Sequence, residues 1–127
     1  MKYRLILKAN PVDRTAPKRY YANAVTEESI SLQLFAGQIA GRSSLTRGDI
    51  ENVLENFLDE LPLFLMMGHS IKLGTFGTLR LTLSSEGALT EDEFTVEMIR
   101  GVHVVFTPSP EFKRALLSIK YEKEKNS

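Results

Sequence analysis

The chain has 127 residues and a mass of 14.3 kDa, the size of one domain. Its 43% apolar and 25% charged residues are ordinary for a folded globular protein, and the absence of cysteine excludes disulfides, thiolate catalysis and Cys-ligated zinc. Sixteen basic and sixteen acidic side chains cancel, so a phosphate-rich partner would need a basic face segregated from an acidic one.

The opening stretch MKYRLILKAN has only a three-residue apolar run, Leu5 to Leu7. That is too short for a signal peptide or a membrane span, and the expected compartment is the cytoplasm. Tyr3 to Ala9 and Arg19 to Val25 are rich in aromatic and aliphatic residues and read as strands. The prolines of Asn10-Pro11 and Ala16-Pro17 mark the loop between them. Residues 1–28 are thus expected to form a β extension ahead of the main domain.

From Ser31 to Arg42 the spacing of Leu32, Phe35 and Ile39, with Ala36 and Ala40, predicts a helix. Ser31 stands as its N-cap, and Gly41 with Ser43-Ser44 ends it. Thr46 followed by Asp49 has the form of a capping box, with Leu45 as the staple residue before it. The apolar stripe of the next helix comprises Ile50, Val53, Leu54, Phe57, Leu58, Leu61 and Leu65. Pro62 is expected to kink this helix or to end its regular part near Leu61. Leu61 to Met67 is apolar on almost every face, more than a short domain has interior to cover, which predicts a partner chain.

After Gly68, residues His69 to Leu73 alternate as a strand, Gly74-Thr75-Phe76-Gly77 forms a turn, and Thr78 to Leu83 alternates strictly. Phe94 to Ile99 and Val102 to Thr107 are read as further strands. Ser109-Pro110-Glu111 combines a capping Ser, Pro at the first helical position and an early acid. Phe112, Leu116 and Ile119 form that helix's inner face. Lys120 onward is expected to fray, with residues 123–127 as a disordered tail. The order is two strands, two helices, a three-strand meander and a terminal helix, an α+β chain with its main domain over residues 29–122. Phe57 and Phe76 are expected to be buried.

Little supports catalysis. The two histidines, His69 and His103, have no metal-ligand spacing, and Glu91-Asp92-Glu93 reads as a solvated turn whose consecutive side chains do not converge on one ion. Gly74 to Gly77 lacks the Lys-Ser/Thr and the following helix of a phosphate loop. No cofactor, metal or small-molecule substrate is expected, and no enzymatic activity.

The block from Gly68 to Leu81, GHSIKLGTFGTLRL, resembles the first hairpin of the bacterial HU and integration host factor family: a glycine ending the second helix, an alternating strand, then a G-x-F-G-[TS] turn. Phe106-Thr107-Pro108-Ser109 followed by Phe112-Lys113 resembles the motif that opens that family's last helix. The likeness covers roughly residues 30–120. With its N-terminal strands, the chain resembles the longer HU-related proteins of Bacteroides-like bacteria. The resemblance implies an intertwined homodimer whose sheets form a saddle on double-stranded DNA in the nucleoid. It also implies arms that enter the minor groove and wedge base steps with proline. Here the arm segment, Ser84 to Gly101, has five acids, one Arg and no Pro, and Thr107 and Pro110 stand where the family has basic residues. Lys72, Arg80, Arg100, Lys113 and Arg114 are the expected phosphate contacts. The alternative function is a dimeric scaffold for protein interaction that no longer bends DNA. Continuous positive potential along the saddle would favour DNA; a negative arm would favour the alternative.

Overall fold

The computed structural model describes residues 1–125. Nine regular elements follow one another: β1 (Lys2–Lys8), β2 (Arg19–Ala24), α1 (Leu32–Ala40), α2 (Arg47–Met66), β3 (Ile71–Lys72), β4 (Gly77–Ser85), β5 (Ile99–Pro108), α3 (Pro110–Leu116) and β6 (Glu122–Lys123). They divide into two units, Met1–Ile30 with the chain from Leu117, and Ser31–Leu116.

In the first unit β1 is central, with β2 antiparallel on one side and β6 parallel on the other. Direct cross-strand partners share a face. Arg4 opposite Asn23, Ile6 opposite Tyr21 and Lys8 opposite Arg19 therefore make one face, and Tyr3, Leu5 and Leu7 opposite Ala24, Ala22 and Tyr20 make the other. The stretch from Lys120, expected to fray, instead contributes β6. Lys2 and Tyr3 pair with Glu122 and Lys123, and the Glu124 N–H donates to the Tyr3 carbonyl at 2.8 Å. The Arg4 guanidinium clamps Glu124 through Nε at 2.9 Å and Nη2 at 3.1 Å. Residues 126–127 of the expected tail lie outside the described residues.

In the second unit both helix starts are built as the sequence predicts. Ser31 Oγ accepts from the Leu34 N–H, and the Thr46–Asp49 box is closed in both directions. Helix α2 runs unbroken to Met66, so Pro62 does not end it. Proline at this position removes one backbone hydrogen bond, and continuing the helix keeps Leu65 on the same stripe as Ile50.

The interior of this unit is thin. Among the described residues, Ala36, Ile50 and Leu65 are the only buried hydrophobic side chains. At 3.6 residues per turn, Ile50, Leu54, Leu61 and Leu65 line one strip of α2, and Val53, Phe57 and Phe64 line the strip beside it. The first strip is buried or half-buried. The second is open, with Phe57 42% exposed. Phe76 is 43% exposed as well, so neither phenylalanine is buried within a single chain. The covering side is absent because α1, at nine residues, spans less than half the length of the 20-residue α2.

β3, β4 and β5 form an antiparallel meander in that order. β3 is shorter than expected, two residues, while β5 reaches from Ile99 to Pro108. The expected strand from Phe94 to Ile99 is not formed; of it only Ile99 is extended, as the first residue of β5. Thr90 caps a 3-10 turn over Glu91–Glu93, its Oγ1 accepting from the Glu93 N–H at 3.3 Å, and a second such turn covers Val96–Met98. The Thr90 hydroxyl offers the backbone of Glu91–Glu93 a local alternative to a strand ladder.

Candidate nucleic-acid interface

The β3–β4–β5 sheet has two chemically distinct faces. Leu79, Leu81 and Leu83 are matched by Phe106, Val104 and Val102 across the β4–β5 ladder, with Ile71 opposite Leu79 on β3. This apolar face is largely open: Leu83 is 65% and Val104 67% exposed. The reverse face has Thr78 opposite Lys72 and Thr107, Arg80 opposite Val105, and Thr82 opposite His103. Lys72 and Arg80 therefore share the polar face, and both are exposed.

The hairpin glycines set the near end of this face. The Leu73 N–H donates to the Gly77 carbonyl at 2.8 Å and the Phe76 N–H to the Leu73 carbonyl at 3.0 Å. Gly77 has a φ of +152°, and a Cβ there would fall on the Thr107 carbonyl oxygen and 2.6 Å from a Phe106 ring carbon. Only glycine lets the two strands approach so closely. Ser109 fastens the last helix to the same turn. Its N–H donates to the Phe76 carbonyl at 3.0 Å, its hydroxyl donates to the Thr75 carbonyl, and the hydroxyl oxygen accepts from the Phe112 N–H. The Phe76 ring stacks on Phe106 at 4.6 Å and meets Phe112 edge-on at 5.0 Å. Such pairs contribute about 0.5–1.5 kcal/mol each beyond area burial.

This arrangement puts Lys72 and the start of α3 at the turn end of the meander, with Lys113 and Arg114 in the last turn of that helix. Arg80 follows on the polar face, next beyond the Thr78 that pairs with Lys72. Arg100 is at the opposite end: Ser84 pairs with Gly101 and Ser85 with Ile99, so Arg100 is the extra residue of a bulge. Arg114 is drawn to Glu111 at 3.7 Å; the other four make no ion pair among the described residues. The structure brings Lys72 and Arg80 onto one face, sets Lys113 and Arg114 on α3 instead of on the sheet, and leaves Arg100 at the far end.

Beyond Arg100 there is no extended two-stranded arm. Residues 86–98 form a compact loop, closed by the Glu86 N–H to the Met98 carbonyl at 2.8 Å, and it holds all five acids of the segment. Over residues 31–116, eleven acidic side chains outnumber seven basic ones. The chain's densest cations lie elsewhere, in the first hairpin, where Lys2, Arg4, Lys8, Arg14, Lys18 and Arg19 face the single acid Asp13. Reading that segment only for strand periodicity passes over this excess; a charge count by segment reveals it.

No group of His, Asp and Glu among the described residues could hold a metal, and no described helix is long and apolar enough to cross a membrane. Comparison with curated protein sequences finds no match. Among solved structures, the chain is similar to a candidate bacterial DNA-binding protein of Bacteroides vulgatus, at 14% identity and a TM-score of 0.64. The match takes in 96% of this chain but 47% of that one, so the chain spans about half the length of its structural relative. At this identity the likeness is one of fold. The sequence profile of the HU-HIG family, described as an HU domain fused to a wHTH, Ig or glycine-rich motif, matches residues 1–123. Glycine-closed hairpin, aromatic cluster and Ser109-capped helix thus belong to a member of the HU-HIG family.

Proposed function

We propose that this protein binds duplex DNA without base specificity, through the polar faces of its β3–β4–β5 sheets in a homodimer. The observation that carries the reading is the division of the meander, with exposed Lys72 and Arg80 on one face and an uncovered apolar face behind them. A second copy is the natural cover for that apolar face and for the open strip of α2, because apolar patches of this kind on a lone domain mark interfaces. The family's HU domain and the DNA-binding description of the Bacteroides relative support the same partner.

Lys72, Arg80, Arg100, Lys113 and Arg114 are the proposed phosphate contacts. Doubled in a dimer they offer about ten cations; with about half engaged, they contribute a log–log salt slope of about −4 to −5. Phosphate contacts carry no base information, so Arg80→Glu should weaken binding to all sequences alike. Bending should be slight, since the short 86–98 loop has no proline wedge to offset unstacking. Fluorescence anisotropy with random duplex at about 50 and 200 mM salt tests this. A folded dimer that fails to bind at the lower salt would shift the reading to a protein-interaction scaffold, which the acidic surplus of residues 31–116 favours. The dimer itself predicts a thermal midpoint that rises with protein concentration; a folded monomer in sedimentation at micromolar concentration would exclude it.

A further inference from the structure

We infer that the tip of the first hairpin, bearing Lys8, Arg14, Lys18 and Arg19, is a second phosphate-contacting surface for duplex DNA. It is distinct from the polar face of β3–β4–β5, and it rests on the reading above only for the identity of the duplex.

Charge is neutralised unevenly along this hairpin. At its base each cation has an acid: Lys2 lies 3.9 Å from Glu27, and Arg4 is clamped by Glu124. At the tip none does. Lys8 and Arg19 stand directly opposite each other in the ladder, a like-charge pair on one face that disfavours the hairpin unless an anion lies over it. Arg14 and Lys18 belong to the connecting loop, and none of the four makes an ion pair among the described residues. The only acid within reach along the chain, Asp13, is committed to the loop. Its carboxylate accepts from the Thr15 N–H at 3.0 Å and the Thr15 hydroxyl at 2.6 Å, and these bonds hold it below the usual carboxylate range. It structures the turn, and its one negative charge leaves a net excess of three cations at the tip.

The shape of the segment agrees with its charge. β6 pairs only with Lys2 and Tyr3, so from Leu5 to Lys8 the unit narrows to a two-stranded ribbon that ends in the cations. A two-stranded ribbon is one of the elements that the major groove admits. Tyr20 and Tyr21, next to Arg19, are exposed at 68% and 45% and can donate hydroxyls to phosphate or sugar. Repeated cations on a narrow ribbon, with exposed tyrosines and a single acid against four cations, fit a polyanion of regular charge spacing better than a folded acidic protein.

The test compares the parent protein with the quadruple variant Lys8→Gln, Arg14→Gln, Lys18→Gln, Arg19→Gln by anisotropy on random duplex. We expect Kd to rise at least about tenfold at 50 mM salt and the salt slope to flatten by about 0.9 for each phosphate no longer neutralised. The thermal midpoint should stay level or rise, because the change relieves the Lys8–Arg19 repulsion; removing a merely structural role would lower it. If the quadruple variant unfolds, the loop-only pair Arg14→Gln, Lys18→Gln serves instead, with a flattening of about one to two. Affinity and slope within twofold of the parent would overturn the proposal. A parallel variant, Lys72→Gln with Arg80→Gln, separates the two surfaces. Weakening by this pair alone leaves the sheet face standing and the hairpin refuted; weakening by the hairpin variant alone does the reverse. A parent that binds anionic phosphatidylserine vesicles but no duplex would refute both.

Discussion

The two units of this chain solve opposite problems with similar materials. The terminal sheet, β1 with β2 and β6, has an excess of cations and neutralises only those at its base. The unit from Ser31 to Leu116 has an excess of acids, and its unmet demand is apolar: an open strip on α2 and a bare sheet face. Unsatisfied charge and unsatisfied apolar surface call for different partners. The first asks for a polyanion, the second for another protein surface. An overall charge of zero hides this division, and so would any property averaged along the chain.

The largest effect should come from the open strip of α2. If a second copy covers it, Phe57→Ala should cost about 3–5 kcal/mol of dimer stability in denaturant titration, as for a buried phenylalanine. A loss under about 1 kcal/mol would mean that the strip faces water, and the contrast between units would collapse to charge alone. Next comes the hairpin closure. Gly77→Ala should cost about 2–3 kcal/mol, since a Cβ would force β4 off β5 at the Thr107 carbonyl. Gly87→Ala, where a Cβ would meet nothing within 4 Å, should be close to neutral. Equal effects at the two positions would show that the tight approach of the strands is not what the turn requires. The smallest effect belongs to the terminal sheet. Hydrogen bonds from Arg4 hold the Glu124 carboxyl below the usual glutamate range. The resulting support for β6 is complete above that usual range and is lost as pH falls through the lowered value. Arg4 is exposed and Glu124 only half-buried, so the change is local and screened by salt. An NMR titration of the Glu124 amide should show β6 releasing below the ordinary glutamate midpoint; release at or above it would assign the docking to the backbone ladder alone.

Local signals in the sequence carried most of the second unit. Thr46-x-x-Asp49, Gly74 to Gly77 and Ser109-Pro110 each specify a structure within a few residues, and each is formed. Long-range consequences were not legible in the same way. β6 and the residue after it are alternating charges, Glu122-Lys123-Glu124, with no strand pattern, and the strand forms because β1 offers an edge some 120 residues earlier. The segment Phe94 to Met98 looks like a strand by composition, yet Val96–Met98 closes into a 3-10 turn, the Met98 N–H donating to the Thr95 carbonyl at 3.0 Å. For the proposed DNA face, periodicity was enough to put Lys72 and Arg80 on one side of the meander. It could not foresee that Arg100 falls in a bulge, because a bulge depends on the register of both strands.

The position of β6 also bears on how the chain is made. Its partner β1 is synthesised before residues 31–116, and β6 only after them. Throughout that interval the nascent hairpin leaves bare the β1 edge that β6 later takes, besides the outer edge of β2. Such an edge invites pairing with another chain. The Lys and Arg residues of β1 and β2 would repel a second hairpin of the same kind, so like charge can shield the strand until β6 arrives.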